Sequence, residues 1–156
     1  MGKILWQPSK QRIEKTNMYG FMQYVNRRHG KEFRAYPELY EWSVTDIPAF
    51  WASVWDHGEV LCSSPHTRVV DDISKMPGAE WFIGARLNFA ENLLRFRDDR
   101  VALTFKGEDS NPVSITYAEL YDRVGRLAES LREAGISVGD RIVGFMPNMI
   151  ETVIAM

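Results

Sequence analysis

The side chains with most chemical potential in this sequence are three histidines, one cysteine and two adjacent carboxylates. His29, His57 and His66 are scattered, with no HExxH or similar spacing that would set two imidazoles on one helix face for a metal. His29 and His57 fall near the ends of expected helices, where the last carbonyls favour a cation, and that structural role accounts for both. Asp71 and Asp72 are neighbours, so on an extended chain their carboxylates point to opposite sides and cannot act as a simple metal-binding pair. They read as solvated. Cys62 has no basic residue or helix start beside it to mark an activated thiolate. No glycine can be placed in a dinucleotide fingerprint or a Walker spacing, so no phosphate cradle is legible. Residue types and spacing alone assign no catalytic, cofactor-binding or metal-binding residue.

The elements that would position a site are clearer. Thr16 caps a helix whose apolar residues Met18, Phe21, Met22 and Val25 recur at helical spacing, with Arg27 and Arg28 near its end and Gly30 beyond. A second helix begins near Thr45-Asp46 with Pro48 in its first turn, sets Ile47, Phe50, Trp51, Val54 and Trp55 on one face, and stops at Gly58. This aromatic stripe predicts a packing face, which Tyr36, Tyr40 and Trp42 are expected to join. From residue 61 to 84 the periodicity fades, and Ser63, Ser64, Pro65, Pro77, Gly78 and Gly84 predict an irregular, loop-like connection.

Asn88 offers an N-cap with Glu91 three residues on, opening a short helix that carries Phe89, Leu93 and Leu94 before a charged, solvated run at 95–100. Residues 101–105 and 113–116 predict two strands of a hairpin. Thr116 begins a capping box with Glu119, and Leu120, Val124, Leu127, Ala128 and Leu131 form a helical stripe that ends at Gly135. The near-continuous apolar run at 141–146 predicts a strand buried on both faces, and Pro147-Asn148 opens another helix with Glu151 at the capping-box position. The order strand, helix, strand, helix places the fold in the α/β class, with parallel strands covered by helices. The last helix shows an apolar face at Ile150, Val153 and Ile154 but neither a glycine nor a basic final turn before Met156. That predicts a truncated portion of a larger domain.

Composition bounds the function classes. The 156 residues amount to one domain's worth, 45% hydrophobic, and a net charge of -2 leaves no basic excess for a dedicated nucleic-acid or anionic-membrane binder. A single cysteine excludes an internal disulfide and any zinc site built on several thiolates, and suits a cytoplasmic protein. The start has no apolar core of signal-peptide length, and the apolar run near the end falls well short of the roughly 20 residues that cross a bilayer.

Several stretches resemble a known family. Trp81-Phe82 followed by Gly84-Ala85-Arg86-Leu87-Asn88-Phe89-Ala90-Glu91-Asn92-Leu93-Leu94-Arg95 resembles the signature near the start of acyl-CoA synthetases of the adenylate-forming superfamily. Tyr40-Glu41-Trp42-Ser43-Val44 leading to Phe50-Trp51 resembles the N-terminal extension of its short-chain members. Thr116-Tyr117-Ala118-Glu119-Leu120 and then Gly139-Asp140-Arg141 are similar to the superfamily's opening helix and first strand. Met146-Pro147-Asn148 through Ala155-Met156 is similar to its next helix. The resemblance runs from Trp6 to the last residue, and its wording favours acetoacetate over acetate as the acid.

The resemblance implies an N-terminal extension over residues 1–95 and the incomplete beginning of an AMP-dependent ligase domain over 96–156. For the full-length enzyme it implies ATP, coenzyme A and Mg2+, with acetoacetate as small-molecule substrate, neither nucleic acid nor membrane, and the remainder of its own polypeptide as partner. The family's catalytic motifs lie downstream and none occurs here, so no catalytic residue is carried over. Asn88 and Asn92 are expected to be structural, and Arg86 to anchor the extension to the main domain. Two rivals stand beside this reading. One is the same region of an acetyl- or propionyl-CoA synthetase, and the other a non-catalytic module that binds a partner through an exposed strand edge.

Overall fold

The computed structural model describes residues 5–108 and 110–156 of the chain. They divide into two compact units, Met1–Leu87 and Asn88–Met156.

In the first unit, helices α1 (Lys10–Glu14), α2 (Asn17–His29), α3 (Tyr36–Thr45) and α4 (Ile47–His57) precede strands β1 (Arg68–Val70) and β2 (Trp81–Ile83). Helix α2 begins where Thr16 Oγ1 accepts the Tyr19 amide at 3.2 Å. It ends at Gly30, whose φ of 61° is the left-handed turn that favours glycine. The Asn26 side chain then pins the exit, its Oδ1 accepting from Phe33 N and its Nδ2 donating to Phe33 O, both at 2.9 Å.

Helix α3 has no apolar stripe to announce it, and its start is built by charge. Pro37 lies in the first turn, and Glu38 Oε2 accepts the amides of Arg34 at 2.6 Å and Ala35 at 3.0 Å. Those two backbone bonds hold the Glu38 carboxyl below its ordinary pKa. Helix α4 begins at Asp46, whose Oδ1 accepts the Ala49 amide at 3.3 Å, and ends against Gly58.

Met22, Val25, Leu39 and Trp42 form the core of this unit, with Phe21, Phe33 and Phe50 packed against it. The aromatic stripe of α4 is a packing face, as its spacing predicts, but it serves two sides. Phe50 meets Phe21 at 5.9 Å and Trp42 at 6.1 Å, while Trp51 meets Trp81 at 6.2 Å and Trp55 meets Phe82 at 4.6 Å on β2. Trp42 joins the buried set, whereas Tyr36 and Tyr40 stay exposed because α3 turns Leu39 and Trp42 inward. The expected irregular connection at 61–84 needs correction. Strands β1 and β2 pair antiparallel within it, Arg68 opposite Ile83 and Val70 opposite Trp81, and Ser64 bridges to Arg86. Strands of three residues are too short for alternation to register in a sequence window.

In the second unit, α5 (Phe89–Leu93) precedes β3 (Val101–Phe105), β4 (Val113–Thr116), α6 (Tyr117–Glu133) and α7 (Ile150–Ala155). Asn88 Oδ1 accepts the Glu91 amide at 3.0 Å and so caps α5 as its type and spacing predict. Strands β3 and β4 form the expected antiparallel hairpin, with Leu103 opposite Ile115 and Phe105 opposite Val113. Thr116 closes β4 and caps α6 at once. Its Oγ1 accepts the Glu119 amide at 3.1 Å, and Glu119 Oε2 accepts the Thr116 amide at 2.8 Å, completing the capping box. Ile115, Leu120 and Ile150 are buried together, with Leu103, Phe105, Val124 and Ile154 packed around them.

The mixed helix-and-sheet class holds, but two details of the last stretch do not. Residues 141–147 form neither strand nor helix, and Val143 and Phe145 are 92% and 107% exposed. A strand buried on both faces needs a neighbour on each edge. Among the described residues both sheets are two-stranded and antiparallel, and neither takes up this run. Helix α7 starts after Met149 with no side-chain cap, so the box expected at Asn148 and Glu151 is not formed. Thr152 instead donates its hydroxyl to the Pro147 carbonyl.

Candidate functional site

The geometry closest to a catalytic pair is one that sequence spacing does not disclose. Ser53 on α4 and His29 at the end of α2, 24 residues apart, come together with His29 Nε2 2.7 Å from Ser53 Oγ. A serine within reach of an imidazole is the arrangement of an activated nucleophile. Ser53 Oγ carries one hydrogen and also lies 2.8 Å from the Ala49 carbonyl, so both bonds form together when His29 Nε2–H donates to Oγ. Ser53 is also only 2% exposed. The His29 ring lies 5.1 Å from Trp42 on α3, while its contact with Ser53 ties α2 to α4. Nothing in the sequence marks Ser53, a small polar residue among apolar neighbours whose partner arrives through tertiary packing.

The other two histidines are held by aromatic rings. His57 lies 5.3 Å from Phe21 and 5.0 Å from Tyr24. His66 sits between Trp55 at 5.1 Å and Phe82 at 5.3 Å, with Nδ1 buried and without a hydrogen-bond partner among the described residues. Cys62 is a half-buried free thiol. The segment after it is tied down by the amides of Ser63 and Ser64, which donate to the Arg86 carbonyl at 2.7 and 3.3 Å, while the Arg86 amide donates back to Ser64 O at 3.0 Å. A groove of about 390 Å³ opens between α2, α3 and α4, lined chiefly by apolar and aromatic side chains that include Phe21, Tyr40, Phe50 and His57.

Asp71 is half-buried and Asp72 is exposed as expected, and both organise the turn between β1 and β2. Asp71 binds the Lys75 ammonium and accepts the Glu80 amide at 2.8 Å, while Asp72 accepts from the Ser74 amide at 2.9 Å and hydroxyl at 2.7 Å. Lys75 first, and then the Glu80 amide, lower the Asp71 carboxyl from 3.8 to about 2. A folded value below the unfolded one means that the ionised carboxylate supports the turn fully above about pH 4, and that this support fades as pH falls toward 2. The Glu80 amide resonance, followed by NMR, is expected to titrate with a midpoint near 2 and to lose that transition in Asp71→Asn. A midpoint near 4 would show that the carboxylate is solvated, as its sequence position suggests.

Both Asp71 oxygens and Asp72 Oδ1 accept from protein donors, and among the described residues no three His, Cys, Asp or Glu side chains converge on one point. Among the described residues no helix is long and apolar enough to cross a membrane.

Two family models match the chain in tandem. Residues 36–93 match the acetyl-coenzyme A synthetase N-terminus, and residues 89–156 match the AMP-binding enzymes. Together the two matches run from residue 36 to residue 156. The second match begins one residue inside the unit Asn88–Met156.

Similar proteins match nearly the whole chain. An acetoacetyl-coenzyme A synthetase of Rhizobium meliloti (strain 1021) is 41% identical over 97% of it, and an acetoacetyl-CoA synthetase of Danio rerio is 43% identical over 99%. A malonamoyl-CoA synthetase of Penicillium aethiopicum is 35% identical over 99%. The solved structure of acetoacetyl-CoA synthetase from Streptomyces lividans superposes with a TM-score of 0.89 at 39% identity, covering 99% of this chain and 24% of that one. The chain spans about 23% of the length of the first two relatives.

Proposed function

We propose that this chain is part of an ATP-dependent acetoacetate–CoA ligase that works in the cytoplasm, and that residues 5–156 serve it as scaffold. The observation that carries this reading is the 41% and 43% identity, along almost the entire chain, to two proteins named for acetoacetyl-CoA synthesis. In the proposed reaction an acetoacetate carboxylate oxygen attacks the α-phosphorus of ATP. The bond to the β-phosphate bridge breaks, and acetoacetyl-adenylate and diphosphate form. The thiol sulfur of coenzyme A then attacks the acyl carbon, and AMP leaves with the former carboxylate oxygen. Both steps depend on charge stabilisation and positioning.

A second acid is favoured by a specific likeness. Acetoacetyl and malonamoyl groups both carry a carbonyl two carbons from the thioester carbonyl, and the relative named for the latter is 35% identical. Acid-dependent ATP–diphosphate exchange by the full polypeptide tests the choice, with acetoacetate, malonamate and acetate compared by kcat/KM. Acetoacetate is expected to lead by at least tenfold over acetate. A preference for acetate would overturn the reading in favour of an acetyl-CoA synthetase, and robust exchange by the 156-residue chain alone would overturn its part as scaffold.

The exposed run at 141–146 supports the remainder of the polypeptide as its partner. Ile142, Val143, Phe145 and Met146 are all exposed, and the first relatives are about four times as long as this chain. Amides of 142–145 are expected to exchange rapidly in the 156-residue chain and to be protected in the full polypeptide. Equal protection in both would show that the segment pairs without help.

A further inference from the structure

We draw no further inference here: the strongest candidate, the apolar groove between α2, α3 and α4 lined by Phe21, Tyr40, Phe50 and His57, carries nothing because nothing in the structure shows what covers it.

Discussion

Replacing Trp42 with alanine is expected to destabilise the first unit by about 3–5 kcal/mol, the range for a buried tryptophan whose site cannot collapse. Trp42 is 7% exposed and packs with Met22, Val25 and Leu39. Its ring is also wedged between His29 at 5.1 Å, Phe33 at 6.0 Å and Phe50 at 6.1 Å. Three rigid rings borne on α2, the segment after it and α4 cannot all move into the vacated space. Their own positions are fixed by the Asn26 clamp on Phe33 and the Ser53 bond to His29. A void therefore persists, and its lining loses dispersion contacts as well as transfer free energy. Urea unfolding followed by circular dichroism, with amide exchange at Val25 as the local readout, measures the loss. Trp42→Phe should recover a substantial part of it. A change below about 1 kcal/mol for the alanine variant would mean that the ring is not the centre of a packed core.

Ile115→Ala is expected to cost the second unit about 2–5 kcal/mol. Ile115 is 2% exposed, stands opposite Leu103 on the hairpin, and meets Leu120 and Ile150. It is the one residue of β4 that faces both α6 and α7, so its loss opens a cavity where three elements join. Val101→Ala, at an exposed position on β3, provides the contrast and should fall within about 0.5 kcal/mol of the parent. Amide exchange at Leu103 and Leu120 distinguishes the two. Equal effects would refute the register in which Ile115 points inward.

Much of the scaffold was legible because the signals act over three or four residues. Thr16, Asp46, Asn88 and Thr116 each cap the helix that their type and spacing announce, since a cap is a bond from a side chain to an amide one turn ahead. Helix α3 escaped the same reading because its capping carboxylate, Glu38, reaches backward to Arg34 and Ala35 and its inward residues are few. The hairpin was legible because two β-rich runs flank a short turn-rich loop. Strands β1 and β2 were not, since eight residues lie between Asp71 and Glu80 and the turn is closed by side chains such as the Asp71 carboxylate as well as by backbone bonds.

The amino-acid sequence by itself determined the starts of α2, α4, α5 and α6 and the hairpin, through local hydrogen bonds and through motifs read along one dimension. The tertiary structure alone decided which polar side chains meet. Ser53 and His29 came together across 24 residues in a buried contact that joins α2 to α4. Asp71 became a turn clasp because Lys75 and Glu80 fold back onto it. The apolar run at 141–146 marks the opposite limit. Its pattern specifies a buried strand, yet burial is a property of neighbours, and among the described residues no strand pairs with it.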